Sequence, residues 1–523
     1  MTIQRIPVVA STDPEESLGD VGFGGDATNV IYDRYQDGRP YVTQRPGVKV
    51  ISDPDNFSLG AQGRGIYYWT KANSFYMVNG DALHAGYGLP IGTISQGRDR
   101  VYFAEVGNFL LIIDSENNEG WYIDKDAPTT LVAVTDTDFP PLQSPNRTLV
   151  AGAVSLDGYA FILDTEGTIW QSGLGDPSSW VALDFATAEK ENDGGVYITK
   201  HHDQVVVLGT RTVEFFYNAG NATGSVLSPR QDVSYNTGCV AGNGFFTSGD
   251  IIAFVGIETG GTLGLYTIEN FRLQKKSGMS IDDYLSNSGL VQTEQVILSM
   301  SLVNDHYLVY VSAADSGVDG SGDPTWDIQR TLVFDNTLKV WCNFEFNGKD
   351  IGGFPVIDTA DRVQGSSRAV TMMMVSGEIC EFTSVIEPQD QTGEGNYFLV
   401  DDSYLVDTSD YIADGTPFAN TNISMSITLP EFDGGISPSK FCHALWVVGR
   451  LLKDGGDLST MDISWSDDHY TTFSTPRTLA TTMDRKLTRL GNFNRRAHKI
   501  DYSGADSLRI EALELDIRGS KYA

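Results

Sequence analysis

The sequence is poor in cysteine, and this scarcity excludes two classes of site. Only four cysteines occur in 523 residues, without the CxxC spacing of a zinc or redox site and without the density of a disulfide-stabilised secreted domain. We therefore expect four buried free thiols. They are Cys239, Cys342, Cys380 and Cys442.

Positive charge and long apolar runs are also scarce. The chain has 36 Lys and Arg against 69 Asp and Glu, a formal net charge of -33, which repels phosphate and anionic lipid and disfavours sequence-independent binding of nucleic acid. No stretch approaches the roughly 18 apolar residues of a membrane helix, and the first residues lack the apolar core of a signal peptide. We expect no membrane insertion and a protein made and assembled in a cytoplasm.

Helical periodicity is almost absent. The best candidate is residues 280–286, where Ser280 is an N-cap followed by acids in the first turn. The remaining sequence consists of short runs rich in Val, Ile, Tyr and Phe, separated by Gly, Asp, Asn and Ser, which is typical of strands and tight turns. We expect helix content below about 10%, against a base rate of roughly one third.

Four hairpins can be identified individually, and no crossover helix lies between them. Missing crossovers argue against a parallel sheet and for an antiparallel sandwich, barrel or propeller. The hairpins span residues 159–172, 204–217, 331–341 and 369–382.

The spacing of the strand pairs favours a β-propeller over stacked sandwiches. Seven units recur at a loose period of roughly 35 to 50 residues, which suits propeller blades. Because the period is irregular, six and seven blades remain equally open. The units lie at residues 66–78, 101–113, 159–171, 196–217, 251–268, 296–311 with 331–341, and 369–382.

Composition shifts divide the chain into four parts. We expect an N-terminal segment at 1–55, for which packing with the C-terminal domain is one option, a propeller at 56–387, a linker or loop at 388–419 and a smaller β-rich domain at 420–523. The fold class predicted is all-β. Strands of the last domain are expected at 423–429, 440–449, 460–466 and 507–517.

No catalytic or cofactor motif is present. HExxH, GxSxG, Walker A and Rossmann patterns are missing. Asp319, Ser321 and Asp323 have the first spacings of a calcium loop, but Arg330 stands where a bidentate Glu is needed. We expect no metal and no cofactor.

Carboxylates flanking two tryptophans raise a carbohydrate-active alternative. Carboxylate pairs with aromatic platforms are what a glycosidase needs for acid/base work and sugar stacking. Turn acids beside core tryptophans explain the same pattern and are the favoured interpretation. The residues are Asp164, Asp176, Asp184 and Glu189, with Trp170 and Trp180.

Residues 466–473 resemble an Asp-box turn, Ser-x-Asp-x-Gly-x-Thr-Trp. Asp468 is the turn-capping acid and Thr472 its partner, whereas Tyr470 replaces the glycine and Phe473 the tryptophan. Asp-boxes are fold elements of several β-proteins and do not imply catalysis.

One cluster of cations interrupts the acidic sequence. Six cations and His498 fall within fifteen residues that contain no acid. They could bind phosphate, an acidic face of a neighbouring copy, or only solvent, and the neighbouring copy is favoured because acidic surface is abundant. We expect subunit or adaptor contacts from Arg485, Lys486, Arg489, Arg495, Arg496 and Lys499.

Four stretches, in this order along most of the chain, carry a resemblance to a known family. They are Arg45-Pro46-Gly47, residues 170–189, residues 209–220 followed by Gly238-Cys239, and residues 465–468 with 489–496. The sequence resembles the packaged-DNA stabilisation proteins, the tail hubs or nozzles of short-tailed (podovirus-type) bacteriophages. Departures are Tyr470 and a glycine- and aspartate-rich insertion at 313–323.

The resemblance implies a non-enzymatic structural protein of the virion tail. It implies a homo-oligomeric ring, expected to be a hexamer, below the portal and its adaptor. That ring closes the DNA channel after packaging, retains the genome until ejection and carries the tail needle and the tailspikes or fibres. Double-stranded DNA would pass without specific binding. The alternatives are a carbohydrate-active or glycan-binding propeller, hydrolase or lectin, and a receptor-binding tail fibre.

Overall fold

The computed structural model describes most of the chain. The described residues are 2–8, 27–51, 61–86, 88–144, 146–188, 190–191, 193–257, 261–287, 296–303, 305–318, 322, 324–346, 353–364, 367–382, 389–391, 420–433, 439–451, 460–480, 486–504 and 507–519.

Helix is confined, within these residues, to two short elements. Helix α1 (Pro140–Gln143) begins with two prolines. Proline suits the first helical turn, because N–H groups at that position have no partner within a helix and their absence costs nothing. Helix α2 (Met279–Asn287) confirms the helix predicted at 280–286. Its Ile281 and Leu285 lie four residues apart on one face and pack into an apolar cluster with blades 5 and 6, defined below.

The N-terminal segment contributes strands to three different sheets. It contains β1 (Thr2–Pro7), β2 (Ala27–Thr28), β3 (Val30–Arg34), β4 (Pro40–Gln44) and β5 (Val48–Val50).

Seven antiparallel sheets, blades 1 to 7, then follow in chain order within the described residues. The strands of blades 1 to 4 are β6 (Gly63–Trp69), β7 (Ser74–Asn79), β8 (Ala82–Ala85) and β9 (Pro90–Thr93); β10 (Val101–Val106), β11 (Phe109–Asp114), β12 (Glu119–Asp124) and β13 (Leu131–Ala133); β14 (Val154–Leu156), β15 (Tyr159–Leu163), β16 (Thr168–Gly173) and β17 (Asp176–Thr187); β18 (Tyr197–His201), β19 (Gln204–Leu208), β20 (Val213–Asn218) and β21 (Leu227–Tyr235).

Blades 5 to 7 depart slightly from the four-strand pattern, because blade 5 has a split first strand and blade 7 has three consecutive strands. Their strands are β22 (Gly238–Cys239), β23 (Phe245–Ser248), β24 (Ile251–Ile257), β25 (Leu263–Glu269) and β26 (Arg272–Lys275); β27 (Val296–Val303), β28 (His306–Val318), β29 (Pro324–Asp335) and β30 (Val340–Phe344); β31 (Val356–Gln364), β32 (Ser367–Met374) and β33 (Ile379–Phe382).

The blades form a closed ring, which confirms the β-propeller and decides between six and seven blades in favour of seven. First strands of successive blades lie side by side, as β6 with β10 and β10 with β14, and β31 of blade 7 packs against β6 of blade 1. The four hairpins expected from the sequence lie in blades 3, 4, 6 and 7. Their alternating apolar residues fill the clusters between adjacent blades.

A strand from the N-terminal segment completes blade 7. Strand β5 pairs antiparallel with β33, so that Val48 faces Phe382 and Val50 faces Cys380. Two further strands, β34 (Gln389–Gln391) and β35 (Asn420–Asn422), extend this sheet beyond β5. The sheets thus cross the predicted boundaries at residues 55 and 387.

The other N-terminal strands join the C-terminal residues in a two-sheet sandwich, here called the C-terminal module. One sheet has the order β3-β4-β42-β37-β40 with β1 paired to β42, and the other continues blade 6 through β30-β2-β36-β41-β38-β39. A single apolar cluster lies between them. The C-terminal strands are β36 (Ser424–Thr428), β37 (Lys440–Leu451), β38 (Thr460–Ser466), β39 (Arg477–Ala480), β40 (Lys486–Phe493), β41 (Ala497–Ser503) and β42 (Leu508–Gly519).

A bulge explains the irregular alternation of the last strand. Leu508 and Ile510 point into the module's core, and the core phase then moves to Leu513 and the residues beyond it. The register of β42 against β37 shifts between Val448 and Gly449, where an extra residue on β42 changes which side chains face inward.

The insertion at 313–323 lengthens the central hairpin of blade 6. Strand β28 runs to Val318 and β29 starts at Pro324. The extended arm places Trp326 in a buried cluster formed with blades 1 and 7. The insertion therefore contributes to ring closure, although Asp319, Ser321 and Asp323 themselves lie outside the described residues.

Candidate functional surfaces

Arg100 reaches from blade 2 towards the opposite blades and fills part of the propeller axis. Its guanidinium is buried and donates from Nε to the carbonyl of Ile357 (2.9 Å), from Nη1 to that of Phe245 (2.9 Å) and from Nη2 to that of Leu298. These acceptors belong to blades 7, 5 and 6. One side chain thus links four blades.

Aromatic rings from three blades pack beside Arg100. Tyr197 stacks on Phe245 with ring centroids 3.7 Å apart and meets Tyr102 edge to face at 5.6 Å. Asp358 of blade 7 accepts hydrogen bonds from the backbone N–H groups of Ile66 and Thr359, and burial raises its pKa to about 6. Among the described residues, the axis is filled by side chains.

The carboxylates that suggested a glycosidase are bound within turns. Asp164 is buried and accepts hydrogen bonds from Trp170 Nε1 (2.9 Å) and from the backbone N–H groups of Glu166 and Thr168. Asp176 accepts from the backbone and hydroxyl of Ser178. Both residues are therefore turn acids, as the favoured interpretation of the sequence has it. Asp184 lies on β17, and Glu189 is outside the described residues.

Asp468 caps the turn that resembles an Asp-box. It accepts hydrogen bonds from the backbone N–H of Thr472 (2.9 Å), from the Thr472 hydroxyl (2.5 Å) and from the Ser466 hydroxyl (2.7 Å). These bonds, the Thr472 hydroxyl first, lower the pKa of Asp468 to about 2. Phe473, which stands where an Asp-box has tryptophan, is 39% exposed.

The predicted cationic cluster divides into exposed and buried members. Lys486, Arg489 and Arg495 are exposed, and Lys499 is half-buried and pairs with Asp501 at 3.2 Å. Arg489 has φ +61°, in the left-handed region, at an irregular position of β40. Arg485 lies outside the described residues.

Arg496 requires a correction, because it is an internal residue and not a surface contact. Its side chain is 1% exposed and forms a two-hydrogen-bond ion pair with Asp467, with Nε to Oδ1 and Nη2 to Oδ2 both 2.7 Å. Nη1 donates to the carbonyl of Leu490. The planar guanidinium matches the carboxylate as expected, but the carboxylate belongs to the same chain.

His498 is buried beside Arg496 and does not add to the cationic surface. Burial, reinforced by the positive charge of Arg496, lowers its pKa to about 3. The imidazole is therefore neutral at physiological pH.

One of the exposed cations, Lys486, belongs to a larger surface that sequence reasoning missed, here called the cationic face. It is the outer surface of the sheet formed by β1, β42, β37 and β40, opposite the module's core. Lys486, Trp446, Glu514 and Arg5 stand in register across the four strands, and Lys486 Nζ lies 5.0 Å from the Trp446 ring centroid. The outward side chains include the apolar Ile3, Phe441 and Trp446, the exposed cations Arg5, Lys486 and Arg518, and the acids Glu514 and Asp516, of which Asp516 is buried.

Pairing across the strands gives the cationic face an apolar centre. Ile3 is 61% and Phe441 39% exposed, and Phe441 faces Arg518 on the adjacent strand. In the described part of the chain, no ion pair is formed by Lys486 or Arg518. Only the period-2 pattern of β37 and β42, combined with their pairing, could have located this surface from the sequence.

Arg45, noted only as part of a sequence signature, joins the propeller to the C-terminal module. Its fully buried guanidinium donates to Asn29 Oδ1 (3.0 Å) and to the carbonyl of Glu345 (3.0 Å). Asn29 also donates to the carbonyl of Ser424 in the module. The guanidinium carbon lies 5.1 Å from the Phe354 ring centroid.

Neither a metal site nor a membrane-spanning helix occurs within the described residues. No group of three or more His, Cys, Asp or Glu side chains is arranged to hold a metal ion there. No helix in the same part of the chain is long and apolar enough to cross a membrane. All four cysteines are free thiols; three are buried and Cys342 is partly buried.

A seven-bladed propeller with a filled axis, joined to a sandwich through a shared sheet, defines the class of a β-propeller scaffold with an appended module. A family model for phage stabilisation, described as the β-propeller of bacteriophage P22 Gp10, matches residues 30–318. The chain belongs to this family. It is therefore a bacteriophage structural protein, and the resemblance found in the sequence is confirmed.

Other comparisons concern known proteins and solved structures. No curated protein matches this chain. Similar structures include the computationally designed Ika8 protein (11% identity, 69% of this chain and 98% of that one, TM-score 0.34). Another is YCF48 bound to D1 peptide (9% identity, 64% of this chain and 97% of that one, TM-score 0.36). A third is BamB from Moraxella catarrhalis (10% identity, 69% of this chain and 98% of that one, TM-score 0.35).

Proposed function

We propose that this chain is the tail hub, or nozzle, of a short-tailed phage virion. Copies form a ring, expected to be a hexamer, below the portal and its adaptor. The ring closes the DNA channel after packaging, retains the genome and carries the tail needle and the tailspikes or fibres. Family membership supports a structural role in the phage particle. The filled propeller axis is the observation that extends this to a ring.

The filled propeller axis restricts where DNA can pass. Arg100 bonds to carbonyls of three other blades, and the rings of Tyr102, Tyr197 and Phe245 pack beside it. A duplex cannot pass through a propeller whose centre is occupied by packed side chains. Any passage for DNA in a hub must therefore lie between copies, which requires several copies around a common channel.

The charge of the chain suits a channel wall that does not retain DNA. The net charge of -33 places fixed negative charge around such a channel. Within a Debye length of about 8 Å at physiological salt, this charge repels the phosphates. We infer that DNA passes without specific binding, and that closure after packaging comes from the assembled ring and its needle.

The same charge opposes assembly, and the cationic face offsets it. Copies that each carry -33 repel one another through a field that salt screens with distance. A local contact between cations and carboxylates is screened less and can hold neighbouring copies together. Lys486, Arg489, Arg495 and Arg518 are among the exposed cations of the module available for such contacts with a neighbouring copy or with the adaptor.

Retention of packaged DNA tests the proposal. DNA-filled heads that carry the adaptor but lack this protein are incubated with the purified chain, and released DNA is measured with an impermeant dye. The chain should reduce release to the level of complete virions. A variant with Lys486→Glu and Arg518→Glu should lose this effect, whereas Arg272→Glu, on the outer strand of blade 5, should keep it. If the wild-type chain binds no heads and release is unchanged, the proposal fails.

A further inference from the structure

The outer edges of the blades differ in how they are protected. An unpaired edge strand exposes backbone hydrogen-bonding groups, and proteins usually cover, shorten or charge such edges. Blades 6 and 7 are covered by β2 and β5. The outer strands β9 and β13 of blades 1 and 2 have four and three residues. Outer strands β21 and β26 of blades 4 and 5 carry Pro, Arg, Asp or Lys.

Blade 3 is the exception among the described blades. Its outer strand β17 has 12 residues and pairs on one side only. Val181, Leu183 and Phe185 alternate along it and are 45%, 76% and 42% exposed. This long, apolar and uncovered edge is the kind of surface that a folded protein retains for a partner.

Val181 and Leu183 project from the blade at a bulge, whereas the ring of Phe185 packs against Trp170 with ring centroids 5.3 Å apart. Trp170 pairs with Phe185, but Ser172 pairs with Trp180. Four residues, 181–184, therefore stand opposite the single residue Gln171. We call residues 181–185 the apolar bulge.

Blade 4 contains the same irregularity with a polar sequence. Glu214 pairs with Ser234 and Phe216 with Pro229, so that residues 230–233 oppose one residue. There, Arg230 pairs with Asp232 at 2.8 Å and packs over the Phe271 ring at 4.7 Å. The polar bulge thus binds its own blade and the next one. The same backbone feature with apolar side chains needs a separate explanation.

Charge indicates what the apolar bulge could contact. Residues 174–188 contain Asp176 and Asp184 and no Lys or Arg. A partner surface should therefore be apolar at its centre and cationic at its rim. Interfaces commonly combine an apolar, aromatic centre with a polar rim. The cationic face offers Ile3, Phe441 and Trp446 beside three exposed cations, Arg5, Lys486 and Arg518. Glu514 is the half-buried acid among them, and Arg5 also pairs with Glu511 at 3.4 Å, so Lys486 and Arg518 are the cations left for an acidic partner.

The apolar bulge and the C-terminal module that carries the cationic face lie on opposite sides of the propeller ring. The C-terminal module attaches to blade 6 through β2 and β30 and contributes β5 to blade 7 by way of the N-terminal segment. Blade 3 is three positions from blade 6 in one direction and three from blade 7 in the other. Two different, complementary surfaces on opposite sides of a body produce head-to-tail contacts, which close into rings when the rotation permits.

We propose that the apolar bulge of one copy docks on the cationic face of a second copy of this chain. This inference rests on the proposed function, since it names the contact that builds the ring. Burying the side chains of Val181, Leu183 and Phe185 supplies the apolar part of the contact. Asp184 meets the cations of the second copy.

The test measures the mass of the purified full chain by light scattering over a range of concentrations. Leu183→Asp should weaken association at least tenfold, because it removes a leucine side chain that becomes buried when two copies meet and places a carboxylate in the contact. The matched control is Gln231→Asp at the exposed polar bulge of blade 4, which should associate like the wild type. Leu183 is mostly exposed in the single chain, so unchanged circular dichroism will verify that the variant folds.

A cross-linking experiment tests whether the apolar bulge of one copy contacts the cationic face of another. Copies with Leu183→Cys and copies with Phe441→Cys are mixed and treated with a short thiol-reactive cross-linker. A cross-link that forms only in the mixture supports the proposal. Association of Leu183→Asp at wild-type strength, or cross-linking of Leu183→Cys copies with each other alone, would overturn it.

Two further outcomes separate this inference from the proposed function. If Leu183→Asp forms normal rings but no longer binds adaptor-loaded heads, the bulge contacts the adaptor; the inference is then wrong and the hub function stands. If the wild-type chain remains a monomer at all concentrations and binds no heads, both are wrong.

Discussion

Arg496 holds Asp467 through two parallel hydrogen bonds of 2.7 Å inside the C-terminal module. Removing the carboxylate leaves a buried guanidinium without its counter-charge, which is more costly than losing a surface pair. We expect Asp467→Ala to lower the free energy of unfolding of the module by about 3 kcal/mol. Arg495→Ala, one residue from Arg496 but exposed, should change it by less than about 0.5 kcal/mol.

Denaturant titration followed by tryptophan fluorescence provides the measurement, since Trp465 lies 5.2 Å from the Arg496 guanidinium. Equal stability of the two variants would show that the Arg496 pair is unimportant for folding.

A second prediction concerns the joint at Arg45. Its guanidinium donates to groups of both the N-terminal segment and the residues after blade 6. Arg45→Met should lower stability by about 3 kcal/mol, because buried acceptors lose charge-assisted hydrogen bonds. Hydrogen exchange should become faster in β2 and β5, whereas Arg39→Met on the surface should leave exchange unchanged. Unaltered exchange in both strands after Arg45→Met would contradict this role.

The axial residue Arg100 gives a third prediction. Arg100→Ala removes donors to carbonyls of blades 5, 6 and 7 and leaves a cavity at the centre. We expect a loss of roughly 3 to 5 kcal/mol in stability, typical of large buried truncations and unpaired buried polar groups. Thermal unfolding measures it against Arg211→Ala in an exposed turn. A melting temperature equal to that of the control would refute the closing role of Arg100.

A fourth prediction follows from the pKa of Asp468. Hydrogen bonds to the ionised carboxylate, the Thr472 hydroxyl first, lower the pKa of Asp468 to about 2 from the ordinary value of 3.8. A depressed pKa means that the stabilisation is present above about pH 4 and is lost as pH falls through 2. Asp468→Ala should therefore be less stable than the wild type at pH 6, and the difference should shrink towards pH 2. The exposed Asp203→Ala serves as control. A difference that stays constant with pH would exclude the ionised carboxylate as the cause.

The exposed cations give a fifth prediction, which also separates protein from phosphate contacts. Arg489→Glu combined with Arg495→Glu should weaken assembly between copies or onto the adaptor, and more strongly at low salt, where opposite charges are least screened. The monomer should remain folded, because neither side chain is buried. Sedimentation at two salt concentrations checks this. Normal assembly with loss of packaged DNA would instead identify a phosphate contact.

The sequence predicted the elements better than their assembly. Hairpins such as 204–217 were identifiable because turn residues and period-2 alternation are local signals. The seventh blade was not identifiable as complete, because its fourth strand, Val48–Val50, comes from the opposite end of the propeller sequence. A pairing over such a separation leaves no local trace.

The candidate surfaces show the same division between local and distant information. Asp468 was recognisable as a turn-capping residue, because its partners lie within four residues. Arg496 was assigned to the surface because a run of cations suggests exposure, whereas its partner Asp467 is brought close only by the pairing of β38 with β41. Arg100 gave no signal, since a single arginine at the start of a strand does not reveal acceptors more than 140 residues away.

The position of the chain in the virion is the most direct test of the proposed hub function. Cryo-electron microscopy of purified particles can locate the seven-bladed propeller and the C-terminal module in the density of the tail. If the chain is the tail hub, a ring of copies will lie below the portal and adaptor, with the DNA channel between the copies and with the propeller axes closed. Density for the propeller only at distal fibres, or DNA passing through the propeller axis, would contradict it.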